Sequence, residues 1–246
     1  MKKINFLTSS LIAHRGDHDI KLEIPENSMA AFKRAIDNKY IIELDVHILK
    51  DNKIIVFHDD NLKRMTGVDK EVKYTTYDEI KNLRLCNTDN RIPLITEVLE
   101  LVDNKVPIII ELKTDNKVGI LEKELIKILE KYNGDYAVKS FNPLSVYWFK
   151  KYYPNIVRGQ LSSDYSKNNM CIIKKFLLKN MVFNFFTKPD FISYDINSLP
   201  SKRVENIRKK HIVLGWTVRD NDQFIKGKQY CDNLICENFK DLKIKD

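Results

Sequence analysis

Cysteine, tryptophan, glycine and proline are all scarce in this chain of 246 residues: four Cys, two Trp, seven Gly and seven Pro. Cys86, Cys171, Cys231 and Cys236 show no Cys-x-x-Cys spacing. Four cysteines in a chain this long build no disulfide framework and suggest a reducing compartment. No apolar run reaches the roughly 18 residues that a membrane-spanning helix needs. The first ten residues start like a signal peptide but lack the apolar core, and His14 and Arg15 arrive too early for one. The expected location is the cytoplasm. There is no low-complexity segment. The net charge of +8, from 42 Lys+Arg against 34 Asp+Glu, suits contact with phosphate, nucleic acid or an anionic membrane. The basic residues are scattered, however, with no basic stretch regularly interleaved with aromatics, so no nucleic-acid partner is expected.

What is present is a repeated strand-helix rhythm. Apolar runs at 11–13, 41–46, 108–112, 136–141, 156–161, 191–194, 212–218 and 233–236 read as eight strands. Helical spacing separates them at 29–38, 95–102, 118–132, 144–152, 171–186, 202–210 and 222–226. Asn27 or Ser28 can cap the first of these helices and Thr96 the second. Alternation of this kind argues for a parallel sheet, and eight units in about 250 residues is the size of a (β/α)8 TIM barrel. The expectation is an α/β chain acting as a single domain over residues 1–246. The run Ile54 to Phe57 breaks the rhythm. Too few residues separate it from Asp45 for a parallel crossover, so it forms a β-hairpin. A two-residue turn at Asp51-Asn52 pairs residue 45 with residue 58. Residues 59–95, with little periodicity, read as a small insertion after the second barrel strand.

Polar groups stand at the ends of four of these runs: His14-Arg15-Gly16, Glu43-Leu44-Asp45, His58-Asp59 and Glu111-Leu112-Lys113. In a TIM barrel the carboxyl ends of strands carry the active site. Glu43 and Asp45 are two apart on a strand and face the same side. With Glu111 they make three carboxylates, which repel unless a cation sits among them. Ion pairing with Arg15 or Lys113 is the other reading. All-oxygen ligands select Mg2+ or Ca2+; Mn2+ or Zn2+ enters if His14 and His58 join. Two histidines beside a metal suit general acid-base work. Arg15 and Lys113 suit phosphate oxygens. Trp216 ends a later strand and can wall a substrate or pack in the core. His18, His47 and His211 have weaker cases. The stretch 174–186, basic and very apolar, is either a buried barrel helix or an interfacial segment.

Together these residues resemble the glycerophosphodiester phosphodiesterases. The resemblance runs through Ile12-Ala13-His14-Arg15-Gly16, Pro25-Glu26-Asn27-Ser28, Glu43-Leu44-Asp45-Val46, Val56-Phe57-His58-Asp59 and Ile110-Glu111-Leu112-Lys113. It continues through Ser140-Phe141-Asn142-Pro143 and Trp216-Thr217-Val218. At the last strand, Asp232-Asn233-Leu234-Ile235-Cys236-Glu237 departs from the Asp-Gly-Ile-Ile-Thr-Asp type of many members. The resemblance implies a metal-dependent barrel hydrolase that converts small-molecule glycerophosphodiesters to an alcohol and glycerol 3-phosphate. Carried over, Glu43, Asp45 and Glu111 are metal ligands, His14 and His58 the acid-base pair, and Arg15 and Lys113 the phosphate grip. The competing readings are a lysophospholipase D-like enzyme at a membrane surface and a non-catalytic phosphate-ligand barrel.

Overall fold

β-Branched residues crowd the strands because a pleated, doubly covered strand accommodates them best. The computed structural model describes residues 2–114, 117–166 and 169–243; both ends of the expected single domain, Met1 and 244–246, lie outside them. The fold is the expected (β/α)8 barrel, with one antiparallel strand attached. By internal contacts the chain divides into two compact units, 13–136 and 1–12 with 137–246.

The division falls within β1 (Ile12–His14); α1 (Met29–Asp37), β2 (Ile41–Ile48) and β3 (Ile54–Val56) follow in the unit 13–136. Ser28 caps α1, its Oγ accepting from the Ala31 N–H at 3.1 Å. β2 pairs with β3 antiparallel in the register Val46↔Val56 and Ile48↔Ile54. The hairpin is therefore as expected but its register is one residue off: Phe57, not His58, faces residue 45, its N–H donating to the Asp45 carbonyl at 3.0 Å. The cause is the loop. Leu49 donates to the Lys53 carbonyl, which leaves three loop residues, and Asn52 takes the left-handed conformation at φ 62°.

The insertion follows, with two short helices, α2 (Lys63–Thr66) and α3 (Tyr77–Ile80), and its apolar residues Leu62, Met65, Val72, Ile80, Leu85 and Ile92 form one core with Leu49, Ile55 and Phe57 of the hairpin. Next come α4 (Ile95–Val102), β4 (Ile108–Leu112) and α5 (Ile120–Leu129). Thr96 does not cap α4. The helix starts at Ile95 as expected, which puts Thr96 inside it, and the Glu97 carboxylate accepts from the Leu94 N–H at 2.8 Å. β2 and β4 pair in parallel with Asp45 opposite Glu111.

The second unit contains β5 (Tyr136–Ser140), α6 (Pro143–Tyr152), β6 (Val157–Ser162), α7 (Ile172–Lys179), α8 (Asn184–Thr187), β7 (Phe191–Asp195), α9 (Lys202–Arg208), β8 (Ile212–Val218), α10 (Asn221–Tyr230) and β9 (Asn233–Cys236). Strands β5 to β9 pair in sequence, all parallel. One expectation fails here. The run 171–186 is not one helix, and Met181 is its only buried residue. It breaks after Lys179 and passes through Met181 at φ 50°, and α7 has no buried residue.

Candidate active site

The His14-Arg15-Gly16 turn sets the geometry. β1 ends at His14, and the chain reverses through positive φ at Arg15 (55°) and Gly16 (81°). Only glycine fits at residue 16, because a Cβ there would lie 2.8 Å from the Ala31 Cβ. The turn is held by the Asn27 N–H, which donates to the Arg15 carbonyl at 2.9 Å. It places the Arg15 N–H on Glu43 Oε2 at 3.1 Å and His14 Nε2 4.0 Å from the same oxygen.

Glu43, Asp45 and Glu111 are all buried, and each offers an oxygen within 4.8 Å of the others. Strand alternation puts Glu43 and Asp45 on one face, as expected, and the parallel β2–β4 register brings Glu111 opposite Asp45. The cations expected to face phosphate rest on the carboxylates instead. Lys113 Nζ lies 2.9 Å from Asp45 Oδ1 and 2.5 Å from Glu111 Oε1. Arg15 Nε lies 3.3 Å from Asp45 Oδ2, and its Nη1 donates to Glu26 Oε1 at 2.7 Å. Burial opposes ionisation of Asp45, but Lys113 and then Arg15 outweigh it and hold the carboxyl well below the usual carboxylate range. Burial likewise works against the Lys113 ammonium, yet Asp45 and Glu111 raise it above its ordinary value. Three carboxylates and two fixed cations leave an anionic site before the histidines are counted. An all-oxygen, net-negative, water-poor donor set fits a hard divalent cation.

His58 is oriented by residues that sequence reasoning did not assign. Its Nδ1 lies 2.6 Å from Asp59 Oδ1. Asp59 titrates at about 2: burial raises it, but hydrogen bonds from Arg64 and His58 pull it down. An ionised carboxylate only accepts, so Nδ1 carries the proton and Nε2 is left to exchange one. Arg64, from α2 of the insertion, donates from Nε to Asp59 Oδ2 at 2.6 Å and from Nη2 to Glu26 Oε1 at 2.7 Å. A chain of charges thus runs from His58 through Asp59, Arg64 and Glu26 to Arg15. Asn27 adds a hydrogen bond from Nδ2 to Asp45 Oδ2 at 3.0 Å. Adjacency to His58 marks Asp59 in the sequence; nothing there marks Arg64.

His47 is not among the site's open groups. It is buried, and its Nε2 donates to the His58 carbonyl at 3.1 Å. Burial keeps its imidazole below the ordinary histidine range. A cavity of about 880 Å3 opens beside Lys113, lined also by His47, Lys50, Asp60, Lys73 and Lys117. Trp216 lies in the other unit, where its ring meets Phe141 edge-on at a centroid distance of 5.6 Å.

Residues 14–239 match the model of the Glycerophosphoryl diester phosphodiesterase family. Human Lysophospholipase D GDPD1 is 39% identical over 148 residues, 55% of this chain and 45% of that one. A glycerophosphodiester phosphodiesterase of Caldanaerobacter subterraneus subsp. tengcongensis is 38% identical over 166 residues, 61% of this chain and 65% of that one. The matched region thus spans less than two thirds of either relative. Among solved structures, an Oleispira antarctica phosphodiesterase in complex with the product sn-glycerol-3-phosphate superposes with a TM-score of 0.77 at 22% identity, covering 95% of this chain and 94% of that one.

Proposed function

The chain belongs to the glycerophosphoryl diester phosphodiesterase family, and from that premise we propose that it hydrolyses glycerophosphodiesters to an alcohol and glycerol 3-phosphate. The observation that carries this reading is the meeting of three buried carboxylates, two cationic side chains and an imidazole on β2 and at the carboxyl ends of β1 and β4. Glu43, Asp45 and Glu111 hold the divalent cation, Mg2+ or Ca2+ before Mn2+. When bound, that cation offsets phosphate charge. Lys113 and Arg15, now on the carboxylates, are the groups available to grip the phosphate oxygens. One of His14 and His58 removes a proton from the attacking water, and the other protonates the leaving alkoxide; if the neighbouring glycerol hydroxyl attacks instead, the first product is a cyclic phosphate, which water must then open to give glycerol 3-phosphate. The Asp59 contact suits His58 to proton transfer at Nε2. The catalytic unit in this reading is the whole chain, with 59–95 as an insertion that braces His58 through Arg64.

The test is release of the free alcohol, choline or ethanolamine, from glycerophosphocholine and glycerophosphoethanolamine, with choline release from lysophosphatidylcholine in parallel, for wild type and His14→Ala. Release from the water-soluble diesters, lost in the variant, is expected. The second reading, lysophospholipid as substrate, draws on the human relative's name; release from lysophosphatidylcholine alone would favour it. No release from any of the three by folded protein would contradict both.

A further inference from the structure

The positive charge of the chain is not evenly spread. Residues 141–190 hold eight Lys and Arg against two Asp, and 170–188 hold four Lys with no Asp or Glu. The same segment exposes large apolar side chains. Ile172 is 84% exposed, Ile173 74% and Phe176 62% on α7, and Phe185 is 79% exposed on α8. At 100° per residue, Ile172, Phe176 and Ile173 fall within one arc of α7, and Lys175 and Lys179 border it. The patch extends onto α6: Lys150 Nζ donates to the Phe186 carbonyl at 2.6 Å, and Leu144, Tyr147 and Tyr152 of α6 are also exposed. Exposed apolar residues are ordinary when scattered singly; a contiguous set marks a surface that something covers.

We propose that α7, α8 and the adjoining face of α6 form a docking surface for an anionic lipid bilayer. The chemistry narrows the occupant. Lysines bordering an apolar arc match a bilayer interface, where ammonium groups meet lipid phosphates and the apolar side chains enter the acyl boundary. A second copy of the chain is disfavoured, because a two-fold contact would set these lysines against the same lysines with no carboxylate in 170–188 to answer them. This surface lies outside the residues assigned to catalysis, so it stands whether or not the phosphodiesterase reading does.

The test is co-sedimentation of the full chain with vesicles of phosphatidylcholine alone and of phosphatidylcholine mixed with phosphatidylglycerol. The expected result is binding to the anionic vesicles that weakens as salt rises from about 0.05 M to about 0.5 M. Ile172→Ser with Phe176→Ser and Phe185→Ser should lower the partition coefficient by at least about tenfold. Lys174→Glu with Lys175→Glu and Lys179→Glu should do the same, and neither set should move the thermal midpoint, since all six side chains are at least partly exposed. Failure of the wild type to bind anionic vesicles at low salt overturns the proposal. So does binding that ignores salt, or binding that the serine set leaves intact. Self-association abolished by the serine set, with no vesicle binding, assigns the face to a second copy and overturns it as well.

Discussion

Asp59 does for His58 what distance alone cannot: it settles which imidazole nitrogen holds the proton. Asp59→Asn would still hydrogen-bond but could stabilise either tautomer, so kcat should fall by about 100-fold or more with KM little changed. The same carboxyl gives a pH signature. It titrates at about 2 in the folded protein against 3.8 for an unperturbed Asp. A depressed value stabilises the fold above 3.8, and the stabilisation is lost as pH falls through about 2. The wild-type advantage in thermal midpoint over Asp59→Asn should therefore shrink between those two values; an advantage constant across that range would contradict the pairing. Gly16→Ala should cost about 2 kcal/mol or more in urea unfolding, because the new Cβ meets Ala31 in a left-handed turn. His14, Arg15, Glu43, Asp45 and Glu111 were legible because each ends an apolar run. Arg64 was not, and Glu26 and Asn27 stood out only as part of Pro25-Glu26-Asn27-Ser28, with no role at the site. They come from loops and an aperiodic insertion, where positive-φ turns rather than periodicity place the side chains.

At the scale of elements, apolar periodicity located the strands closely: Ile108–Leu112 and Asn233–Cys236 lie where the pattern puts them. What periodicity does not encode is turn length. The Asp-Asn pair after β2 reads as a two-residue turn, but Lys50 joins the loop and shifts the hairpin by one residue. Asn52 is the residue that permits this, so Asn52→Gly should leave stability within about 0.5 kcal/mol of wild type. Asn52→Val should lower it by about 1 kcal/mol or more, since a β-branched side chain resists φ 62°. Equal effects of the two substitutions in denaturant titrations would argue against the observed loop. The run 171–186 fails for a different reason. Apolar spacing signals a helix but not what covers it, and a lipid-facing segment has the same composition as a buried one.

For the whole molecule, strand-helix alternation was enough to reach the barrel, because few folds accommodate eight parallel units of this length. Net charge alone was not enough, since it hides the concentration of lysine around α7. None of the helices in the described residues is long and apolar enough to cross a membrane. The carboxylate cluster has consequences for overall stability. Lys113 and Arg15 already balance much of its charge, so chelation should leave the protein folded rather than unfold it. A cation that binds only the folded state should then raise the thermal midpoint, by the equivalent of about 2.7 kcal/mol at a hundred times its Kd. Asp45→Asn should abolish that rise. The most direct test of the account is the initial rate of glycerol 3-phosphate release from glycerophosphocholine as Mg2+ or Ca2+ is titrated back into EDTA-treated protein. The account predicts negligible release in EDTA and a saturable recovery with at least one of the two ions. A full rate in EDTA would contradict it, leaving the three carboxylates as partners of Lys113 and Arg15 alone.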